Sequence, residues 1–148
     1  MKVADALRAV TRLFLDTAPV IYFVERNPAY AARVDEVFDR IDAGTLTAVT
    51  SPITLAECLI VPVRQGLAQI QQDFTDLIVS GANVTFVNSD ASISRHAAEL
   101  RVRYNLTLTD AFQIATSLVA GCHAFLTNDL TLKRVQDIPV LVVDELEA

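Results

Sequence analysis

Five short β-type runs, each set off from the next by helical periodicity, restrict this chain more than any other feature. They are Leu13-Phe14-Leu15, Leu46-Thr47-Ala48-Val49, Val84-Thr85-Phe86-Val87, Ala124-Phe125-Leu126 and Val140-Leu141-Val142-Val143. Between them, Pro28 to Ile41 keeps Val34, Val37, Phe38 and Ile41 on one helical face. Ser51 followed by Pro52 reads as an N-cap and the favoured first helical position. A further helix is predicted over Leu67 to Val79 with Gly81 as its stop. Ser89 or Asp90 opens the next, which ends near Tyr104-Asn105. Thr107 then opens another, with Ala111, Ile114, Ala115, Leu118 and Val119 turned inward until Gly121. Strands alternating with helices of this length pair in parallel through crossovers. The expected fold class is therefore α/β, a central parallel β-sheet of four to five strands flanked by helices. One domain is expected over residues 1–148. Residues 1–11 read as an N-terminal arm or short helix with Val3, Leu7 and Val10 on one side.

Three acids stand alone in long uncharged stretches. Asp16 is the only formal charge between Arg12 and Glu25, Glu57 the only one between Asp42 and Arg64, and Asp110 the only one between Arg103 and Asp129. Asp129 itself follows the run Ala124-Phe125-Leu126 through Thr127-Asn128. A carboxylate in apolar surroundings is costly unless it is paired, hydrogen-bonded or bound to a metal, and no basic residue lies beside the first three. Each acid taken singly has a local alternative. Asp16 can cap a following turn, Asp110 can form a capping pair with Thr107, and Asp129 can cap the short segment carrying Leu132 and Val135. Glu57, inside a helix of apolar residues, caps nothing. A single site explains all four, because open parallel sheets place sites beyond the carboxyl ends of their strands, where Asp16 and Asp129 lie. Oxygen-only ligation points to a hard cation, Mg²⁺ or Mn²⁺, and such an ion activates water for phosphodiester hydrolysis.

The pieces Leu15-Asp16-Thr17-Ala18-Pro19-Val20-Ile21-Tyr22, Thr50-Ser51-Pro52-Ile53-Thr54-Leu55-Ala56-Glu57, Leu108-Thr109-Asp110-Ala111-Phe112-Gln113-Ile114-Ala115 and Phe125-Leu126-Thr127-Asn128-Asp129, in this order and spacing, resemble the PIN-domain family. The likeness is to its Mg²⁺-dependent nucleases, particularly the VapC-like ribonuclease toxins of bacterial toxin–antitoxin pairs. The resemblance implies a three-layer α/β/α fold, attack on RNA by metal-activated water, and a homodimer inhibited by an antitoxin protein. It implies Asp16, Glu57, Asp110 and Asp129 as acidic metal ligands, with Thr17, Thr127 and Asn128 in support. Many members of that family carry a further acid two residues past the fourth, where this chain has Thr131.

Other signals carry less. His96 and His123 offer acid–base cleavage of RNA, but a strand starting at His123 separates it from the acids by about 13 Å at ~3.3 Å per residue. Arg95, Arg101 and Arg103 on one helix, with Lys133 and Arg134 after Asp129, read more simply as solvated faces than as a phosphate track. Ala18 stands where a haloacid-dehalogenase-type phosphotransferase needs a second aspartate, and no Gly-rich phosphate loop is present. The net charge of −6 argues against general electrostatic capture of nucleic acid; together with Thr131 it motivates the alternative, a catalytically silent PIN-like nucleic-acid-binding or protein-interaction module. Neutralising four carboxylates leaves −6 + 4 = −2. Apolar residues reach 52%, an excess consistent with an interface, yet no run has the ~18 apolar residues of a membrane span. Asp5, Arg8 and Arg12 interrupt any secretory signal, so a cytoplasmic location is expected. Cys58 and Cys122 lack metal-ligand spacing and read as reduced, buried thiols.

Overall fold

A computed structural model describes all residues, 1–148. The five strands are β1 (Arg12–Leu15), β2 (Thr47–Thr50), β3 (Val84–Phe86), β4 (Ala124–Thr127) and β5 (Val140–Val142), each within a residue or so of its predicted run. They form one sheet in the order β3-β2-β1-β4-β5. All four pairings are parallel, for example Phe14 opposite Val49 on one side and opposite Phe125 on the other.

Helices cover both faces. After the short α1 (Val3–Ala6), α2 (Thr17–Val24) and α3 (Ala31–Asp42) connect β1 to β2. Next, α4 (Pro52–Arg64) and α5 (Ala68–Ser80) lead to β3, and α6 (Ala91–Tyr104) and α7 (Leu108–Val119) lead back to β4. A 3-10 turn, Leu130–Arg134, precedes β5. Because side chains alternate across a strand, β1 divides its apolar residues between two cores. Leu13 and Leu15 pack with Val34, Phe38, Ile41 and Phe74 on one side, while Phe14 packs with Phe125, Ile93 and Ile114 on the other. This is the three-layer α/β/α arrangement.

Ser51 caps α4 by accepting from the Thr54 N–H, and Asp90 caps α6 by accepting from Ile93 N–H at 2.9 Å. Asn105 ends α6 in the left-handed region at φ 52°, a conformation its short polar side chain tolerates. Gly81 ends α5 as expected, in extended backbone at φ −61°. Its glycine is needed for space: a Cβ there would lie 2.5 Å from the Leu77 carbonyl oxygen. Gly81→Ala should therefore destabilise the fold by about 1–3 kcal/mol, read as a lower urea midpoint at unchanged slope. Val119, expected to face inward, is 46% exposed because α7 points its core stripe through Ala111, Ile114 and Ala115. Residues 1–11 include a short helix that is built into the core. Val3 and Leu7 are buried, and Lys2 bridges in parallel to Glu147. No helix is long and apolar enough to cross a membrane.

Chain direction reverses at the centre of the sheet. From β1 the chain runs outward to β2, whereas from β4 it runs the other way to β5. Connections leaving two adjacent strands in opposite directions open a crevice at their carboxyl ends. Asp16 follows the last residue of β1, and Thr127 is the last residue of β4.

Candidate active site

Asp16 lies at the floor of that crevice. It is 9% exposed and caps α2, with Oδ1 accepting from the Thr17 N–H at 2.9 Å and Oδ2 accepting from the Thr127 hydroxyl at 2.8 Å. Thr127 also accepts, from the Asp129 N–H at 3.1 Å, so one hydroxyl couples the first acid to the turn that carries the fourth. Glu57 enters from α4, one strand over, and its Oε1 accepts from the Thr17 hydroxyl at 2.8 Å. Asp110 sits in the first turn of α7, where Thr107 rather than Asp110 supplies the cap by accepting from the Asp110 N–H at 3.2 Å. Asp129 caps the 3-10 turn through Thr131, whose N–H and hydroxyl both donate to its Oδ1, at 2.9 and 2.7 Å. The capping roles of Asp16 and Asp129 are thus real and coexist with a shared cleft.

All four acids line one open cavity of about 260 Å³, together with Thr17 and Asn128. Asn128 braces the rim: its amide donates to the Tyr22 hydroxyl at 3.0 Å and accepts from the Asp144 N–H at 2.9 Å, tying α2 to the segment after β5. Tyr22 stacks on Tyr30 with ring centroids 4.0 Å apart. Sequence reasoning missed Tyr22, which carries no charge to single it out. Thr131, the departure from the family pattern, holds Asp129.

None of the chain's six ion pairs involves Asp16, Glu57, Asp110 or Asp129. Of the predicted basic residues, Arg103 pairs with Asp137 and Lys133 with Glu145, Arg101 donates to the Leu106 carbonyl and Arg134 to the Asn105 carbonyl, while Arg95 is exposed on α6. His96 is exposed on α6, and His123 accepts from the Thr11 N–H at 3.2 Å outside the cavity. Cys58 is buried and Cys122 partly so, both unpaired.

Burial without a cationic partner raises the Asp16 carboxyl from 3.8 to about 6. Desolvation is the main cause; the bonds from Thr17 and Thr127 oppose it, and the charges of Asp110 and Glu57 add to it. Asp110 is also raised, first by partial burial and then by Asp129, with the Thr107 bond and the Arg134 charge pulling the other way. A carboxyl that keeps its proton in the folded state while the unfolded chain releases it contributes stability that is lost as pH rises through the folded value. In the protein freed of divalent cations, Asp16 should therefore contribute a loss of stability between about pH 4 and pH 6. That loss reaches up to about 3 kcal/mol, at about 1.4 kcal/mol per pH unit. Melting temperature measured against pH with EDTA present checks this, and Asp16→Asn should flatten the slope.

The donor set is all oxygen and suits a hard divalent cation. No three acids stand close enough together to hold an ion as the side chains lie. Glu57 is drawn to Thr17 and Asp129 to Thr131, and four like charges repel across the cleft. The residues suit such an ion by chemistry and by shared cavity, with Glu57 held on Thr17 and Asp129 on Thr131 as the side chains lie.

The model of the PIN domain family matches residues 13–138. Comparison with curated protein sequences gives no match. Among solved structures, the fold is similar to VapBC2 from Rickettsia felis, determined bound to a DNA fragment from their promoter (TM-score 0.69, 16% identity, 88% of this chain and 98% of that chain). It is also similar to VapC20 from Mycobacterium tuberculosis, described as a sarcin–ricin loop cleaving toxin (TM-score 0.63, 17% identity, 76% and 86%). DNA-bound VapBC from Salmonella typhimurium is a third (TM-score 0.63, 18% identity, 89% and 98%).

Proposed function

This chain belongs to the PIN domain family, and from that premise we propose that it is a Mg²⁺- or Mn²⁺-dependent endoribonuclease, the toxin of a toxin–antitoxin pair. The observation that carries the proposal is the cleft itself, in which four acids from two strand ends and two helices share one cavity and none of them is in an ion pair. The choice of RNA is supported by fold likeness to VapC20, and the choice of an antitoxin partner by likeness to VapBC assemblies. A homodimer acting in the cytoplasm belongs to the same proposal.

Held by Asp16, Glu57, Asp110 and Asp129, a hard divalent cation would supply an activated water and offset charge on the phosphate. The chain's own residues prepare the cleft for it. The Thr17 N–H and the Thr127 hydroxyl each donate to one oxygen of Asp16, which holds the carboxylate where it lines the cavity. Glu57 and Asp110, both half-buried, line the same cavity, and Asp129 is its exposed acid. Asn128 keeps the rim segment in register with α2. The purified protein should cut RNA when Mg²⁺ is supplied and stop when EDTA is added; RNA left intact under both conditions removes the proposal.

The second reading, a silent binding module, is favoured by the dispersed placement of the acids and by Thr131. It predicts RNA or protein binding that is indifferent to divalent cations.

A further inference from the structure

One buried polar chain passes behind the cleft. The Ser51 hydroxyl donates to Gln113 Oε1 at 2.5 Å, and Gln113 Nε2 donates to Thr54 Oγ1 at 2.7 Å. The Thr54 hydroxyl in turn donates to the Leu15 carbonyl at 3.3 Å. Exposure is 1% at Gln113 and 0% at both Ser51 and Thr54, in a region otherwise built of apolar side chains. Polar groups this deep are costly when unpaired, and here each donation finds its acceptor, which also fixes which way the Gln113 amide points.

The sequence positions of these links matter more than their stability. Leu15 immediately precedes Asp16 at the end of β1. Thr54 lies one helical turn before Glu57 on α4. Gln113 lies one turn after Asp110 on α7. Residues three apart on a helix are neighbours on one surface, so moving Gln113 relative to Thr54 moves Asp110 relative to Glu57. Through Leu15, the same displacement reaches Asp16. The helices α4 and α7 otherwise belong to different connections, one leading to β3 and the other to β4, and nothing covalent sets their spacing.

We propose that Gln113 is a positioning residue that sets the mutual spacing of Asp16, Glu57 and Asp110, acting through Thr54 and Ser51. The inference rests on the reading of the cleft as a divalent-cation site. An apolar side chain at 113 fills the same space but leaves the Ser51 hydroxyl without its acceptor and the Thr54 oxygen without its donor, so the acids lose their common frame while the core stays filled. Outer groups that orient metal ligands affect metal affinity by about 10–100-fold when removed.

The test compares Gln113→Met, Thr54→Val and Thr54→Ser with the wild type. Mn²⁺ affinity is measured by calorimetry at a temperature where circular dichroism shows each protein folded, and kcat and KM are measured on RNA. Gln113→Met and Thr54→Val should weaken Mn²⁺ binding about tenfold or more and lower kcat with KM little changed. Thr54→Ser, which returns the hydroxyl and lacks only the methyl, should recover most of that loss. If Gln113→Met does not fold, the Thr54 pair decides the matter, since valine keeps the shape of threonine. Wild-type Mn²⁺ affinity in folded Thr54→Val overturns the proposal. So does a Thr54→Ser protein as impaired as Thr54→Val, because packing rather than the hydrogen bond would then be responsible. A wild type that binds Mn²⁺ but leaves RNA intact rejects the ribonuclease reading, and the affinities still decide the role of Gln113. A wild type that binds no Mn²⁺ overturns both.

Discussion

Asp16→Asn is expected to reduce Mg²⁺-dependent RNA cleavage by about 10³-fold or more while making the cation-free protein more stable at neutral pH. The two effects have one cause. At pH 7 the folded protein holds Asp16 ionised at 9% exposure, with Asp110 and Glu57 adding negative charge and no base to offset it. That arrangement is unfavourable until a cation arrives, and it is the kind of stored cost that functional sites carry. Asparagine keeps the acceptor for the Thr17 N–H, so α2 stays capped, but removes the buried charge. Against up to about 3 kcal/mol of relief stands the disturbed bond from Thr127, so a net gain of about 1–2 kcal/mol is expected. For a chain of this size that corresponds to a melting temperature higher by about 3–6 °C in EDTA. Cleavage rates and melting curves on the same preparations check both halves. A variant that loses both activity and stability would show that Asp16 matters as a cap rather than as an acid.

Phe14→Ala should be the most damaging single change to the fold. Phe14 lies on the central strand, is fully buried, and stacks on Phe125 of β4 with ring centroids 5.0 Å apart and planes 7° from parallel. Truncation removes that ring pair and opens a cavity among Ile93, Ile114 and Phe125, where the surrounding sheet has little freedom to collapse. The expected cost is about 3–5 kcal/mol, a large share of the 5–15 kcal/mol typical of a domain. A melting temperature lower by about 10 °C or more follows for a chain of this length. Activity should fall as well, since β1 and β4 carry Asp16 and Asp129 and their pairing sets the crevice. Urea unfolding measures the loss; a change below about 1 kcal/mol would contradict the placement of Phe14 at the centre of a packed face.

Much of the fold was legible because the strands of a parallel sheet, covered on both faces, read as short continuous apolar runs bounded by polar turns. Leu13-Phe14-Leu15 and Ala124-Phe125-Leu126 show this plainly. Helix α2 escaped the same reading: Thr17-Ala18-Pro19-Val20-Ile21-Tyr22-Phe23-Val24 is apolar on every side, rich in β-branched and aromatic residues, and has no periodicity to separate helix from strand. The direction in which Val119 points was also lost, because apolar residues at the end of an amphipathic helix can sit on either flank of its stripe.

At the site, isolation of formal charge found Asp16, Glu57 and Asp110, and strand-end placement found Asp129. Charge alone was too narrow a filter. Gln113 stands among Ala111, Phe112, Ile114 and Ala115 as conspicuously as Glu57 stands among its apolar neighbours, and Tyr22 ends a similarly apolar run. Searching for any lone polar side chain, charged or neutral, would have brought both forward. The closeness of the acids to a common point could not be read from sequence at all, because it depends on rotamers that Thr17 and Thr131 control.

Calorimetric titration of Mn²⁺ into wild type, Asp16→Asn and Asp110→Asn tests the central claim most directly. The account predicts saturable binding to the wild type that is lost in both variants although each remains folded. Binding of equal affinity in all three proteins, or none in any, would contradict a cation site built from these acids.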